Sequence, residues 1–410
     1  MIPSTFRPTL RAIRPFVFGA ALLGITLPFV ANAQAAPADS LRRPLDFTPK
    51  GLVFSGSDGF SYFALRFRIQ QWAVFSSEDD DRGIGSSQMA IRRARLRFES
   101  VVWDPRFKVN VQLSFSRGDL DFENSEFPNV LRDATVSWQA TPQLVLMGGQ
   151  TKLPGNRQRV ISSGEQQFPD RSIVNGAFTT DRDMGLWAIY TRGRDSRPVI
   201  LSAAVTSGEG RAIQTGNAGL SYTGRVEVQP LGAFTDGGDN FEGDLAREPE
   251  PRLALGVTLN HNEQAERTGG QLGAFLFDPR DQDVLLADVL FKYRGFSTSA
   301  EYGQRRAADP VTTDGVFTRT VFTGSGTNVQ AAYLFPGDWE VGARWSTVDP
   351  HGDVRAEFDR QRQHSLVVTR YIRRHRVKWQ AEGIRDDFRD GVSGSTRGRW
   401  TFRSSFEFGI

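Results

Sequence analysis

Arg93-Ala94-Arg95-Leu96-Arg97-Phe98-Glu99 alternates charged and apolar residues without a break. A strand points successive side chains to opposite faces. Ala94, Leu96 and Phe98 then share one face, and Arg93, Arg95, Arg97 and Glu99 the other. Arginine does not line a dry core, so the charged face meets water, either outside a soluble barrel or inside a pore. Two distant stretches repeat the pattern. Residues 60–75 set Phe63, Leu65, Phe67, Ile69, Ala73 and Phe75, interrupted by Gln71, against Tyr62, Arg66, Arg68, Gln70 and Trp72. The last residues set Trp400, Phe402, Phe406, Phe408 and Ile410 against Arg399, Thr401, Arg403, Ser405 and Glu407.

Outward from these, sixteen strand-like segments follow one another: 60–75, 89–102, 107–116, 130–140, 143–151, 183–193, 199–206, 217–229, 252–260, 284–294, 296–304, 322–335, 338–347, 361–372, 376–386 and 397–410. Several reach the roughly 9–11 residues that cross a bilayer, against about 5–6 for ordinary globular strands. Their connections alternate in length. Short turns such as Thr141-Pro142, Arg294-Gly295 and Pro336-Gly337-Asp338 carry Pro and Gly, the residues that turns demand. Long connections fall between them at 76–88, 117–129, 152–182, 207–216, 261–283, 305–321, 348–360 and 387–396. Short periplasmic turns and long external loops mark a transmembrane barrel, so the expected fold is all-β: a closed antiparallel transmembrane β-barrel of about sixteen strands. One connection, 230–251, should be a short turn and is not. Aromatics near strand ends (Phe60, Phe75, Trp103, Trp138, Tyr190, Trp345, Tyr371 and Trp400) suit interfacial girdles.

The N-terminus reads as a secretory signal. Arg7, Arg11 and Arg14 precede the apolar run 16–30, and Ala31-Asn32-Ala33 and Ala33-Gln34-Ala35 are small-x-small cleavage sites. The expected organisation is a signal over 1–35 with cleavage near 33–35, a periplasmic lead-in over 36–59, and a barrel over 60–410 with a constriction loop at 152–182. The full chain has 50 basic and 47 acidic residues. Without the three signal arginines the counts are equal, so the high isoelectric point is no sign of nucleic-acid binding. Only five basic residues are Lys; the rest are Arg, which binds phosphate and carboxylate through a planar fork. There is no cysteine, hence no disulfide, thiolate nucleophile or Cys-based metal site. No metal or other cofactor is expected. The acidic run Glu78-Asp79-Asp80-Asp81 lacks calcium-loop spacing and reads as a solvated charge run, although facing ions of lipopolysaccharide is a second reading.

The longest loop holds Lys152, Arg157, Arg159, Arg171 and Arg182 against Glu165, Asp170 and Asp181. Folded into a lumen, such a loop narrows a channel and its cations favour anions; left outside, it is a mixed-charge surface. Arg66, Arg68, Arg93, Arg95, Arg97, Arg399 and Arg403 are the lumen-lining candidates. They form either a relay of weak anion sites or ion pairs with Glu99, Asp133, Glu340, Glu382 and Glu407.

Three stretches resemble the phosphate-selective porin O and P family: Gly149-Gln150-Thr151-Lys152, Asp170-Arg171-Ser172-Ile173-Val174-Asn175 and Arg182-Asp183-Met184-Gly185, with Ile91-Arg92-Arg93-Ala94-Arg95-Leu96-Arg97-Phe98-Glu99 upstream. The resemblance implies a sixteen-stranded, trimeric outer-membrane porin of a Gram-negative bacterium. Its basic residues would draw small anions, phosphate among them, passively through a constriction formed by the third external loop. The chain departs from the family in having few lysines and in ending at Ile410 rather than Phe. Two rivals belong to other classes. An outer-membrane hydrolase needs a base, and His364 near a strand end is the nearest candidate, with no motif behind it. A plugged structural barrel would show the same strands. A weakly selective general porin is the third alternative.

Overall fold

The computed structural model describes residues 45–48, 51–79, 83–120, 129–194, 196–211 and 219–410. The expected signal segment, 1–35, lies outside them, as do Asp80 and Asp81 of the acidic run.

Sixteen antiparallel strands close a ring: β1 Tyr62–Glu78, β2 Ser86–Val101, β3 Phe107–Ser114, β4 Leu131–Gln139, β5 Leu144–Lys152, β6 Arg182–Arg192, β7 Val199–Thr206, β8 Ser221–Val228, β9 Arg252–Arg267, β10 Phe275–Tyr293, β11 Phe296–Arg306, β12 Gly324–Phe335, β13 Trp339–Pro350, β14 Arg360–Arg373, β15 Val377–Arg389 and β16 Thr396–Gly409. Each pairs with its neighbours in sequence, and β16 returns to β1 from Arg399↔Glu78 to Gly409↔Arg68. Below that point β1 pairs instead with a short N-terminal strand, Gly51–Ser55, through Leu52↔Leu65 to Ser55↔Tyr62. Closure leaves no sheet edge to desolvate, the condition for strands to span a bilayer.

Period two organises both faces. On β9, Leu255, Val257 and Leu259 face outward and are exposed, while Thr258, Asn260 and Asn262 face inward and are buried. On β16, Phe402, Phe406 and Phe408 face outward, and Ser405 and Glu407 inward. The inner face is buried although polar, because loops fill the lumen. Among the described residues no helix is long and apolar enough to cross a membrane. The exposed apolar residues of the strands form the outward band that a transmembrane barrel presents to lipid.

Short turns lie at one end. Arg294 (φ 49°) and Gly295 (φ 88°) form the two-residue hairpin that needs positive φ at both positions. Trp103, Trp138, Tyr190, Trp345 and Trp400 sit outward and exposed, as a girdle requires. Tyr371 does not: it is 1% exposed and donates inward to Glu340 (2.9 Å).

The sixteen segments stand where the period puts them, with two corrections. The connection at 261–283 is mostly strand, because β9 runs on to Arg267 and β10 starts at Phe275. Asn262-Glu263-Gln264-Ala265-Glu266-Arg267 is polar on both faces, so alternation fades where the hairpin rises above the apolar band. The loop at 305–321 contains a small ribbon, Val311–Thr313 with Thr318–Thr320. The exceptional connection after β8 enters the lumen from the short-turn end, where Lys292 Nζ holds its Gly238 (2.7 Å) and Phe241 (2.8 Å) carbonyls. The Asp236-Gly237-Gly238-Asp239 stretch lies in a 3-10 turn there.

Candidate functional site

The loop after β5 turns into the barrel rather than out of it. Leu153 N donates to Asp181 O (3.0 Å) and closes its base. Two helical turns follow, α1 Arg157–Val160 and α2 Ile173–Phe178. Ser172 caps α2, its Oγ accepting from Asn175 N (3.2 Å), and Val174 and Phe178 pack on Val284, Leu286 and Val348 of the wall. Elsewhere polar wall residues grip the loop backbone. Gln70 reaches Pro169 O (2.9 Å), Arg344 reaches Asp170 O (2.9 Å), and Lys378 Nζ reaches Gly164 O (3.1 Å) and Gln166 O (2.7 Å). Glu301 accepts from Gln158 N (2.7 Å). Each hydrogen bond to a charged group contributes about 1.5–3 kcal/mol, so the loop is fixed across the lumen. Glu242, from the connection that enters at the other end, accepts from Gln167 N (2.8 Å) and braces it from beneath.

A cavity of ≈ 580 Å³ lies between this loop, the β2–β4 wall and neighbouring long loops. Among the described residues, eight arginines and three aspartates line it. A bulge in β2 supplies two of the arginines. Gln70 opposes Arg93 and Gln71 opposes Ile91, so Arg92 is the extra residue. The bulge resets the alternation, and both guanidinium groups converge on Asp170, Arg93 at 2.7 Å and Arg92 at 3.2 Å. Arg95 (2.6 Å) and Arg132 (3.1 Å) converge likewise on Asp119. Burial alone would raise the Asp170 carboxyl; Arg93, Arg92 and Arg403 outweigh it and hold it well below the usual carboxylate range. Asp119 is held down the same way by Arg95 and Arg132. Arg171 is the opposite case. It donates to the Gln158 (2.6 Å) and Ile161 (3.3 Å) carbonyls and has no carboxylate pair among the described residues. Burial, and then the charge of Arg93, push its pKa down to about 9, and a bound anion would oppose both effects.

The loop candidates separate into two groups. Arg159 and Arg171 line the guanidinium cavity, Arg159 paired to Asp181. Lys152 is not among its lining residues; it lines a neighbouring slot and donates to Arg159 O (3.0 Å). Arg157 lies elsewhere: it is 1% exposed and bound to Glu227 (3.0 Å) and Asp288 (3.1 Å). Arg182 is buried against Asp133 (3.0 Å) and Asp181 (3.5 Å).

Of the wall candidates, Arg93 and Arg95 reach the cavity. Arg68 pairs with Glu407 (2.7 Å), Arg97 with Glu99 (3.3 Å), Arg399 with Asp386 (3.1 Å) and Arg403 with Glu382 (2.9 Å). Arg66 is half-buried on the same inner face of β1. Glu340 bonds Tyr371 and Gln167 (3.1 Å) rather than an arginine. Sequence reasoning missed Arg92, Arg132, Arg211 and Arg267 as lining residues. The Arg92-Arg93 doublet was the one available sign of a bulge.

The family model of the phosphate-selective porin O and P matches residues 63–368. No curated protein matches the sequence. Among solved structures, the chain is similar to the outer membrane channel DcaP of Acinetobacter baumannii at 11% identity and a TM-score of 0.51, covering 86% of this chain and 99% of that one. The anion-selective porin from Comamonas acidovorans is 12% identical at a TM-score of 0.51, covering 85% and 100%. OmpT of Vibrio cholerae in its trimer form is 11% identical at 0.50, covering 84% and 99%. At such identities the likeness is one of fold. The chain belongs to the phosphate-selective porin O and P family, and is thus a porin of the Gram-negative outer membrane, a channel rather than an enzyme.

Proposed function

We infer that the channel passes small anions in preference to cations, phosphate among them, passively and without a cofactor, and that selection occurs in the guanidinium cavity. The observation that carries this is the imbalance, among the described residues, of eight arginines against three aspartates around one cavity at the constriction loop. In a narrow space with low-dielectric walls such an imbalance concentrates anions. Arg92, Arg93, Arg159 and Arg171 face the solute, with Lys152 beside them, while Arg157 and Arg182 anchor the loop. The likeness in fold to the anion-selective porin from Comamonas acidovorans supports the reading. The trimer form of the Vibrio cholerae relative supports a homotrimer, which light scattering of detergent-extracted protein tests. Removal of residues 1–35 on export is tested by the mass of the mature chain.

Reversal potential in a KCl gradient across a planar bilayer, followed by phosphate titration of the chloride current, tests the selectivity. Anion preference with phosphate block supports the reading. Conductance without preference would leave a general porin, the outcome that the paired strand arginines Arg68, Arg97, Arg399 and Arg403 favour. Absence of conductance from folded protein would leave a structural barrel.

A further inference from the structure

The inner face is mostly polar, and besides the patch under α2 it turns apolar where β5, β6 and β7 pass the start of the constriction loop. Met147 and Trp187 stand opposite each other on this face, and Trp187 packs with Leu153 of the loop and Ala204. A slot of ≈ 250 Å³ opens here, with Met147, Trp187, Ile189 and Ile200 on the wall and Leu153 and Val160 on the loop. A path for inorganic ions gains nothing from such a wall, since apolar surface strips hydration without replacing it.

The other side of the slot is charged, but most of the charge is spent. Arg157 and Arg225 are both bound to Glu227 and Asp288. Besides the Asp239 carboxylate, which also lines the slot, Lys152 remains: its ammonium donates to a backbone carbonyl (3.0 Å) and has no carboxylate partner among the described residues. Trp187, 4% exposed, keeps its indole N–H without an acceptor. Buried donors are nearly always satisfied, and an exception calls for an explanation. One ligand chemistry uses both features: a carboxylate for the ammonium and the N–H, and an apolar body for the wall. The short helix α1 links the slot to the guanidinium cavity, with Arg157 and Val160 lining the first and Arg159 the second.

We propose that this slot is a binding step for small organic carboxylates with an apolar or aromatic body, of about the size of benzoate, that have passed the guanidinium cavity. The proposal rests on the anion reading above and names its solute class. Binding here is transient, as conduction demands a site weak enough to release.

Benzoate, acetate and chloride are the probes. Bi-ionic potentials of the wild-type channel should give a benzoate-to-acetate permeability ratio above one, despite the larger ion, and benzoate should block chloride current. Ile189→Thr with Ile200→Thr should lower that ratio by about tenfold, the scale of a lost methylene-sized contact in an apolar pocket. Trp187→Phe keeps the wall but removes the donor, and should weaken benzoate block. Heat-modifiable migration verifies folding of each variant. If the double variant does not fold, Val160→Thr on the loop side carries the same test. A wild-type ratio at or below one, or a ratio that the wall variants leave unmoved, overturns the proposal. The KCl reversal potential is read first, without organic solute: a cation preference there sinks the anion reading itself, a separate failure.

Discussion

Asp170→Asn tests whether solute passes the guanidinium cavity. The change removes one of three carboxylates facing eight arginines and keeps the side-chain shape. Arg93 loses a charged partner at 2.7 Å and Arg92 one at 3.2 Å. One uncompensated charge 5 Å from a passing anion is worth about 0.8 kcal/mol even at the dielectric constant of water, or roughly fourfold in permeability. The confined cavity makes that a lower bound, so the chloride-to-potassium ratio from reversal potentials should rise by about fourfold or more. The loop should stay in place, because Arg344 still donates to the Asp170 carbonyl (2.9 Å) and Arg93 keeps Gln70 and the Pro169 carbonyl. Melting should report a loss of about 1–3 kcal/mol, the cost of charge-assisted hydrogen bonds broken on one side. An unchanged or lower ratio from a folded variant would refute the reasoning: the cavity would lie off the conduction path.

Arg171→Ala should lower anion selectivity and phosphate block. It removes the donors to the Gln158 and Ile161 carbonyls, a loss of about 1.5–3 kcal/mol for each charge-assisted bond, but breaks no carboxylate pair among the described residues; a stability loss with selectivity intact would reverse that assignment. Arg157→Ala should do the converse, costing about 3–5 kcal/mol as a broken buried pair, less whatever Arg225 recovers for Glu227 and Asp288, and denaturation set beside reversal potential separates the two. Selectivity should be flat from about pH 7 to about pH 5, the range above ordinary Asp titration. The Asp170 and Asp119 pKa values are depressed, so the stability their pairs contribute is complete above the unfolded value and is lost only as pH falls through the lower folded one. Loop release or a shift in selectivity within that range would contradict the pairing.

The barrel was legible because lipid on one side and water on the other impose period two, and Arg93 to Glu99 shows it in seven residues. The signal fails where that contrast ends. Asn262 to Arg267 carries polar residues on both faces, so strand and loop look alike there in sequence. The bulge at Arg92 hides because both members of the doublet are polar. The roles of the arginines were the least legible part. Arg157 finds Asp288 and Lys378 finds Gly164 across more than 100 positions of sequence, so a conducting arginine and an anchoring one carry the same local pattern. Arg171 is set apart only by what surrounds it in space.

The seam of the barrel has a consequence for how the ring shuts. Hydrogen bonds from β16 reach β1 only as far as Arg68 and, through Ile410 N, the Phe67 carbonyl. From Leu65 down to Tyr62 the same edge belongs to Gly51–Ser55. The first strand is therefore shared by the two ends of the chain, stacked one above the other along it. Zipping the last strand onto the first leaves about one turn-length of backbone donors and acceptors open at the periplasmic rim, a template for any passing strand. The Gly51–Ser55 segment fills it with the chain's own backbone, so that the rim is completed by self-complementation.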